Sequence, residues 1–390
     1  MRIAQIAPPW IPIPPKNYGG TESVLSTLVE QQVAQGHDVT LFAPGDAKTS
    51  AKLVSFFPKS LLQEGVPWTS HLKAFYHLEK SLEQVKEQDF EIVHTHLSSS
   101  SDLYLFPLTA SLALTHVTTL HSHFPFDEAP DGLGGGADRY YMDWAPAVPM
   151  VAISKSAQAQ EKLPLNFVGV VHHGIDMRQF RPRSKKRGDF FVWLGRFAPE
   201  KGVHLAIEAA KRAQVPIVLA GTIDRYRQES RRYFHEVIEP QFDDEGVKYI
   251  GPVNMKQKLN LLSRARGFLN PIEWEEPFGM VMIEAMALGC PVISFARGAA
   301  PEIVVDGRTG FLVQHLDEMV QSIPRINEID RETTRLHVER NFSAHVMAEN
   351  YTHVYQKVIA MSKEAPEQQK DETSSRKGAH ALATGKIPGR

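Results

Sequence analysis

Runs of strand length, rich in apolar and β-branched residues, alternate with amphipathic runs of helix length along nearly the whole chain, and this alternation is what most limits its possible folds. It opens with Arg2-Ile3-Ala4-Gln5-Ile6-Ala7, a short buried strand that leads into a Pro-rich, Gly-ended loop over 8–20. Thr21-Glu22-Ser23 begins an amphipathic stretch through Ala34, Gly36 ends it, and 37–42 reads as the next strand. That is one β-α-β unit. Helical stretches at 72–87 and 102–114 follow, with strands at 91–94, 116–120 and 150–153. Parallel strands joined by crossover helices build a sheet covered on both faces.

The pattern breaks once. Residues 181–188 lose their apolar content and concentrate positive charge, which reads as an inter-domain linker. A second alternating set then resumes, with strands at 190–194, 216–220, 247–250, 267–270 and 291–295 and helices at 203–213, from about 226, at 256–265 and at 280–288. At roughly 150 residues per domain, 390 residues is a two-domain length. The prediction is an α/β chain with one doubly wound, Rossmann-like domain over 1–182 and a second over 189–342. A last helix at about 343–362 and a polar, disordered tail at 364–390 complete it. Two such domains place the carboxyl ends of two sheets across a central cleft, where open α/β sheets bind ligands.

Composition narrows the function. With 43 Lys+Arg against 45 Asp+Glu, the net charge of −2 argues against an obligate nucleic-acid binder. The single cysteine, Cys290, cannot form an internal disulfide, and no charged-then-apolar leader opens the chain, so a cytoplasmic protein is expected. No apolar run is long enough to span a membrane. The basic linker leaves peripheral contact with the inner membrane face open, with a solvated linker as the plainer reading.

The strongest local signal is Gly195-Arg196-Phe197-Ala198-Pro199-Glu200-Lys201-Gly202, between a strand and a helix start. Cations at a helix N-terminus are unfavourable unless an anion shares the spot, and a phosphate or diphosphate fits best. The competing reading pairs Arg196 and Lys201 with Glu200 and Glu208 on the surface. The second signal is Glu273-Trp274-Glu275-Glu276-Pro277-Phe278-Gly279-Met280-Val281-Met282-Ile283-Glu284. Pro277 and Gly279 keep Glu276 in a loop, while Glu284 falls about a turn inside the next helix. Both carboxylates can face the cleft. On so apolar a helix Glu284 needs partners, either a ribose diol or a neighbouring cation. The N–H groups of Phe278, Gly279, Met280 and Val281 at the helix start form a second anion site. Gly19-Gly20 before the first helix allows close backbone approach to a ligand, although glycine pairs are more often turn punctuation.

Neither G-x-G-x-x-G nor G-x-x-x-x-G-K-[ST] occurs, which removes the main support for dinucleotide or P-loop readings. His94, His96 and His121-Ser122-His123 lie near strand ends, but without carboxylates or cysteines to complete a set they read as hydrogen-bonding residues rather than metal ligands. There is no Asp-x-Asp to hold a metal-bound diphosphate. No metal and no cofactor is expected, so the charge of a bound diphosphate falls to Arg196, Lys201 and helix ends.

These residues resemble the retaining GT-B glycosyltransferases of family 4, the glycosyl transferase group 1 enzymes. The resemblance rests on G-R-x-x-x-x-K-G at 195–202, on E-x7-E at Glu276 and Glu284, on Gly289-Cys290-Pro291-Val292, and on Gly310-Phe311-Leu312-Val313. Smaller matches occur at Gly19-Gly20, at Ile153-Ser154-Lys155-Ser156 and at Gly174-Ile175-Asp176. His173 stands where the family usually has Asn. The resemblance implies a nucleotide-diphosphate-sugar donor, UDP- or GDP-linked, held mainly by the second domain, with the acceptor on the first. Arg196 and Lys201 would take the diphosphate and Glu284 the ribose. Glu276 with the 278–281 backbone would take the sugar and distal phosphate. Gly19 and Gly20 would face the phosphates, His121 the sugar or the anomeric charge, and Val253 the base. The final helix would cross back to the first domain. Rival readings are a phosphorylase or nucleotide-sugar epimerase on the same frame, and a nucleotide-sugar-binding protein without turnover. The acceptor, whether saccharide, lipid or small molecule, is not specified.

Overall fold

The computed structural model describes residues 1–16, 19–68, 70–110, 114–124, 141–182, 188–223, 228–243 and 246–380. The first half runs β1 (Arg2–Ile6), α1 (Gly20–Ala34), β2 (Asp38–Phe42), β3 (Lys52–Val54), α2 (His71–Lys86), β4 (Ile92–Leu97), α3 (Leu105–Ala110), β5 (His116–Leu120), β6 (Met150–Ala152), α4 (Lys155–Gln160) and β7 (Phe167–Val170). Its strands form one parallel sheet in the order β3-β2-β1-β4-β5-β6-β7. All residues of β4 and β5 are buried, as expected of strands covered on both faces.

The second half runs β8 (Phe191–Phe197), α5 (Val203–Arg212), β9 (Ile217–Ile223), α6 (Gln228–Tyr233), β10 (Val247–Tyr249), α7 (Met255–Arg264), β11 (Phe268–Asn270), α8 (Met280–Ala287), β12 (Val292–Phe295), α9 (Ala300–Ile303) and β13 (Gly310–Val313). Three helices follow: α10 (Leu316–Ser322), α11 (Arg331–Asn341) and α12 (Ala344–His380). The sheet order is β10-β9-β8-β11-β12-β13. In each sheet the chain winds outward from a central strand and then returns to its other side. The crevices therefore open between β1 and β4 and between β8 and β11. This is the predicted pair of Rossmann-like domains, and the architecture is GT-B.

The crossing helix α12 packs Met347, Ala348, Tyr351, Val354, Tyr355 and Val358 into the core of the first sheet with Ile3, Leu28 and Val117. Those positions recur at helical spacing and form one buried stripe. The crossing is pinned where Ile175 N–H donates to the Phe342 carbonyl at 2.9 Å and Ala344 N–H to the Ile175 carbonyl at 2.8 Å. A Cβ on Gly174 would lie 2.5 Å from the Ser343 oxygen, so only glycine lets the strands of chain approach there. The domains also share a core: Ile153, Ala157 and Ile175 cluster with Phe278, Met282 and Ile283.

One expectation changes. The last helix continues to His380, so 364–380, expected to be irregular, is helical, while 381–390 lies outside the described residues. Among the described residues the core-facing stripe runs to Val358 and Ile359, and beyond about 362 the sequence pattern gives no sign of a helix. Within the basic linker, 183–187 also lies outside the described residues.

Candidate active site

Arg196 is the penultimate residue of β8, and a single turn of 3-10 helix, Pro199–Lys201, follows. Gly202 then adopts φ 67° and starts α5. A Cβ there would overlap the Pro271 carbonyl oxygen, at 1.8 Å, so the G-R-x-x-x-x-K-G spacing closes with an obligatory glycine. The loops after β8 and β11 are stitched together by Glu273 N–H donating to the Glu200 carbonyl at 2.9 Å. Both cations therefore stand at the switch point of the second sheet.

Lys201 Nζ forms a short ion pair with Glu276 Oε2. The same oxygen accepts from Trp274 Nε1 at 2.9 Å, and Nζ lies 4.8 Å from the Trp274 ring centroid. Both charged side chains are about one-fifth exposed, at 20% and 19%. Arg196 is looser, with Nη2 3.4 Å from Glu200 Oε1. Protein carboxylates thus sit against both cations. Glu208, the other surface partner considered for them, instead faces Arg212 at 3.6 Å.

The backbone of Glu276 is clamped. Its carbonyl accepts Ala299 N–H at 3.0 Å, and Gly298, at φ 54°, approaches so closely that a Cβ would fall 2.3 Å from that oxygen. Phe278 is buried with its ring 5.1 Å from that of His173, edge to face. Ser154 of the first domain donates to the Pro277 carbonyl at 2.6 Å. Gly279, at φ 97°, caps α8. The first-turn N–H groups at Met280 and Val281 have no intrahelical carbonyl and form the anion-favouring end of this helix. Met280 packs against cores of both domains, including the one that holds Ile13 and Val24 beside the Gly19-Gly20 turn.

Glu284 lies one turn further along α8, buried, and its Oε1 accepts from Lys258 Nζ of α7 at 2.6 Å. The cation chosen as Glu284's alternative partner is therefore Lys258, 26 residues away in sequence and invisible to local reasoning. Val253, like Met280 and Val281, packs against the shared core that α7 and α8 help to build, immediately before Asn254, which closes a capping box with Gln257.

On the first domain, Gly19 caps α1, where a Cβ would meet Pro15 Cβ and Glu22 Oε2 at 2.9 Å. Gly20 has nothing within 4 Å of its Cβ position, so the backbone there lies open. Burial pushes the Glu22 carboxyl up to about 7, against the pull of its own backbone N–H and with the help of nearby Asp102. His121 Nε2 lies 2.9 Å from His96 Nδ1, and its ring stacks on that of His173 at 5.2 Å. Burial lowers the His121 pKa to about 3, which keeps the ring neutral. His123 instead spans the domains: its Nε2 donates to the Glu275 carbonyl at 2.7 Å, and Glu161 raises its pKa.

The geometry thus gathers Arg196, Lys201, Glu276 and the α8 N-terminus at one switch point, with Glu284 a turn deeper. His121 reaches the same motif through His173 and Phe278. Among family profiles, "Glycosyltransferase Family 4" matches residues 18–179 and "Glycosyl transferases group 1" matches 176–336. The chain belongs to the family 4 glycosyltransferases.

Relatives of this glycosyltransferase include the Spore coat protein SA of Bacillus subtilis, 24% identical with 92% of this chain and 100% of that one covered. The phosphatidyl-myo-inositol mannosyltransferase of Mycolicibacterium smegmatis is 25% identical, covering 85% and 86%. Among solved structures, Anabaena HepE in complex with UDP and glucose superposes with a TM-score of 0.65 at 18% identity, covering 92% of this chain and all (100%) of that one. Among the described residues, no helix of the glycosyltransferase is long and apolar enough to cross a membrane. Sequence reasoning missed Lys258, Gln5 and the role of Trp274. Only Trp274, which sits inside the E-x7-E motif, carried a local signal.

Proposed function

We propose that this glycosyltransferase transfers a hexose from a UDP- or GDP-sugar to an acceptor held by its first domain, with retention of anomeric configuration and without a metal or cofactor. The observation that carries the reading is the Lys201–Glu276–Trp274 cluster with Arg196 at the β8/β11 switch point, beside the start of α8. An incoming diphosphate exchanges with the carboxylates for Lys201 and Arg196, and the α8 N–H groups take the remaining phosphate oxygens. Glu284 and Lys258 then meet the ribose, and Val253 borders the base.

The bond from the anomeric carbon to the leaving phosphate oxygen breaks through an oxocarbenium-like transition state. The acceptor oxygen bonds that carbon on the same face, and its proton passes to the departing phosphate oxygen. Negative charge grows on the diphosphate, where preorganised cations act most strongly. Glu276, freed from Lys201, orients the sugar hydroxyls and offsets positive charge on the ring. Relatives whose names include a mannosyltransferase and a complex with UDP and glucose support the choice of donor class. Screening UDP-, GDP- and ADP-sugars by thermal shift, followed by donor consumption in EDTA, tests it. A donor that raises Tm and is consumed is expected. No stabilisation by any nucleotide sugar overturns the reading.

A further inference from the structure

A buried polar network runs from the crossing helix to His121, and one assignment of its donors and acceptors puts a proton in every contact. Tyr355 Oη contacts Gln5 Nε2 at 3.1 Å, Gln32 Nε2 at 3.0 Å and His94 Nδ1 at 2.7 Å, and Gln5 Nε2 also meets Gln32 Oε1 at 2.9 Å. The hydroxyl has one proton, so at least two of its three partners must donate. Turning the Gln5 amide over would set its oxygen against the Gln32 oxygen, or leave two amide oxygens sharing the single tyrosine proton. Both amide nitrogens therefore donate to Tyr355, whose proton goes to His94.

That leaves Gln5 Oε1 as the acceptor 3.0 Å from His96 Nε2. His96 thus carries its proton on Nε2, and as a neutral ring it offers only a lone pair at Nδ1. The His121 Nε2 at 2.9 Å must then be the N–H donor. His121 Nδ1 is left as a bare acceptor, and it is buried with no hydrogen-bond partner among the described residues. An unsatisfied buried acceptor of this kind points to a donor that arrives with the ligand.

We propose that Gln5 and His96 are positioning residues that lock His121 in the Nε2–H tautomer, so that its Nδ1 accepts a hydrogen bond from a hydroxyl of the transferred sugar. The proposal rests on the donor reading above for the identity of that hydroxyl, while the tautomer itself does not depend on it. Burial among imidazoles keeps all three rings of the relay neutral, and their pKa values fall below the usual histidine range. A neutral acceptor at this place orients a hydroxyl without setting a positive charge beside an anomeric carbon that is itself becoming positive.

Two polar variants separate the roles of the His96 nitrogens. In His96→Asn the amide oxygen falls near the Nδ1 position and still accepts from His121. In His96→Gln the longer side chain serves the Nε2 position, keeping the contact with Gln5 and losing the acceptor. Long-range 1H–15N correlation spectra of 15N-histidine-labelled protein, assigned with His121→Gln and paired with thermal unfolding, report the tautomer directly. The expected result is His121 in the Nε2–H form in the wild type and in His96→Asn, and a mixed or reversed form in His96→Gln. With UDP-glucose or GDP-mannose as donor, kcat/KM falls about tenfold in His96→Gln, the size of one lost hydrogen bond, and recovers in His96→Asn, while UDP and GDP affinities hold. An Nδ1–H tautomer in the wild type, or equal tautomers and turnover in both variants, overturns the proposal. Failure of both donors to be consumed by the wild type counts against the donor reading and leaves the tautomer assignment to the spectra.

Discussion

Removing the Lys201 ammonium separates stability from catalysis. In Lys201→Ala the folded protein loses an ion pair whose members are about one-fifth exposed and a cation resting 4.8 Å over Trp274. A partly solvated pair contributes about 1 kcal/mol and the ring contact a further ~0.5 kcal/mol, so the native state weakens by about 1.5 kcal/mol. In a domain of this size that lowers Tm by about 3–6 °C. Glu276 keeps Trp274 Nε1 at 2.9 Å and its backbone clamp, so the loop stays in place. The leaving diphosphate, by contrast, loses a preorganised cation where charge develops, which costs roughly 10²–10³-fold in kcat. Steady-state kinetics with the donor found by screening, beside thermal unfolding, reads both quantities. A well-folded Lys201→Ala whose kcat stays within about threefold of wild type refutes the assigned role, because no other group at that position replaces a preorganised cation.

Lys258→Met leaves the Glu284 carboxylate without its 2.6 Å partner. Chemical denaturation should show a loss of about 2 kcal/mol, below the ~3–5 kcal/mol of a fully buried pair because both side chains keep some exposure. Tyr355→Phe strands the Gln5 and Gln32 amide protons and the His94 lone pair, and should cost about 2 kcal/mol in the same assay. An unchanged midpoint in either case would contradict the contacts described. Glu22 has a folded pKa near 7, above its ordinary 4.5, so the stability its neutral form contributes is complete below about pH 4.5 and lost as pH rises through 7. Thermal unfolding from pH 5 to 8 should therefore show Glu22→Gln gaining on the wild type as pH rises. A gap between the two that does not change with pH would contradict the burial argument.

How far the sequence discloses the molecule depends on whether a signal is local. Strand β5 falls on the predicted 116–120 because His-Val-Thr-Thr-Leu is β-branched, short and bounded by breaks. Edge strands β3 and β7 escape notice, since three or four half-exposed residues give no clear period. Strand β13 was legible only as the motif Gly310-Phe311-Leu312-Val313. Arg196, expected just past a strand ending at 194, lies inside β8, which runs on to Phe197, but Lys201 just before α5, Glu276 in a loop and Glu284 inside α8 could be placed in advance from their motifs. Their partners could not. Lys258 reaches Glu284 from another helix, and Gln5 reaches His96 from a strand 91 residues away. The one trace of the relay in the sequence is the i, i+2 spacing of His94 and His96, which sets two imidazoles on the same buried face of β4.

The most direct test of the account follows the anomeric protons of an α-linked UDP- or GDP-sugar by 1H NMR as the enzyme consumes it in excess EDTA. An α-configured product appearing first, at the same rate with or without magnesium, is the predicted result. A β-configured first product, or turnover that stops in EDTA and returns only with a divalent ion, would contradict departure of the diphosphate onto Arg196, Lys201 and the start of α8.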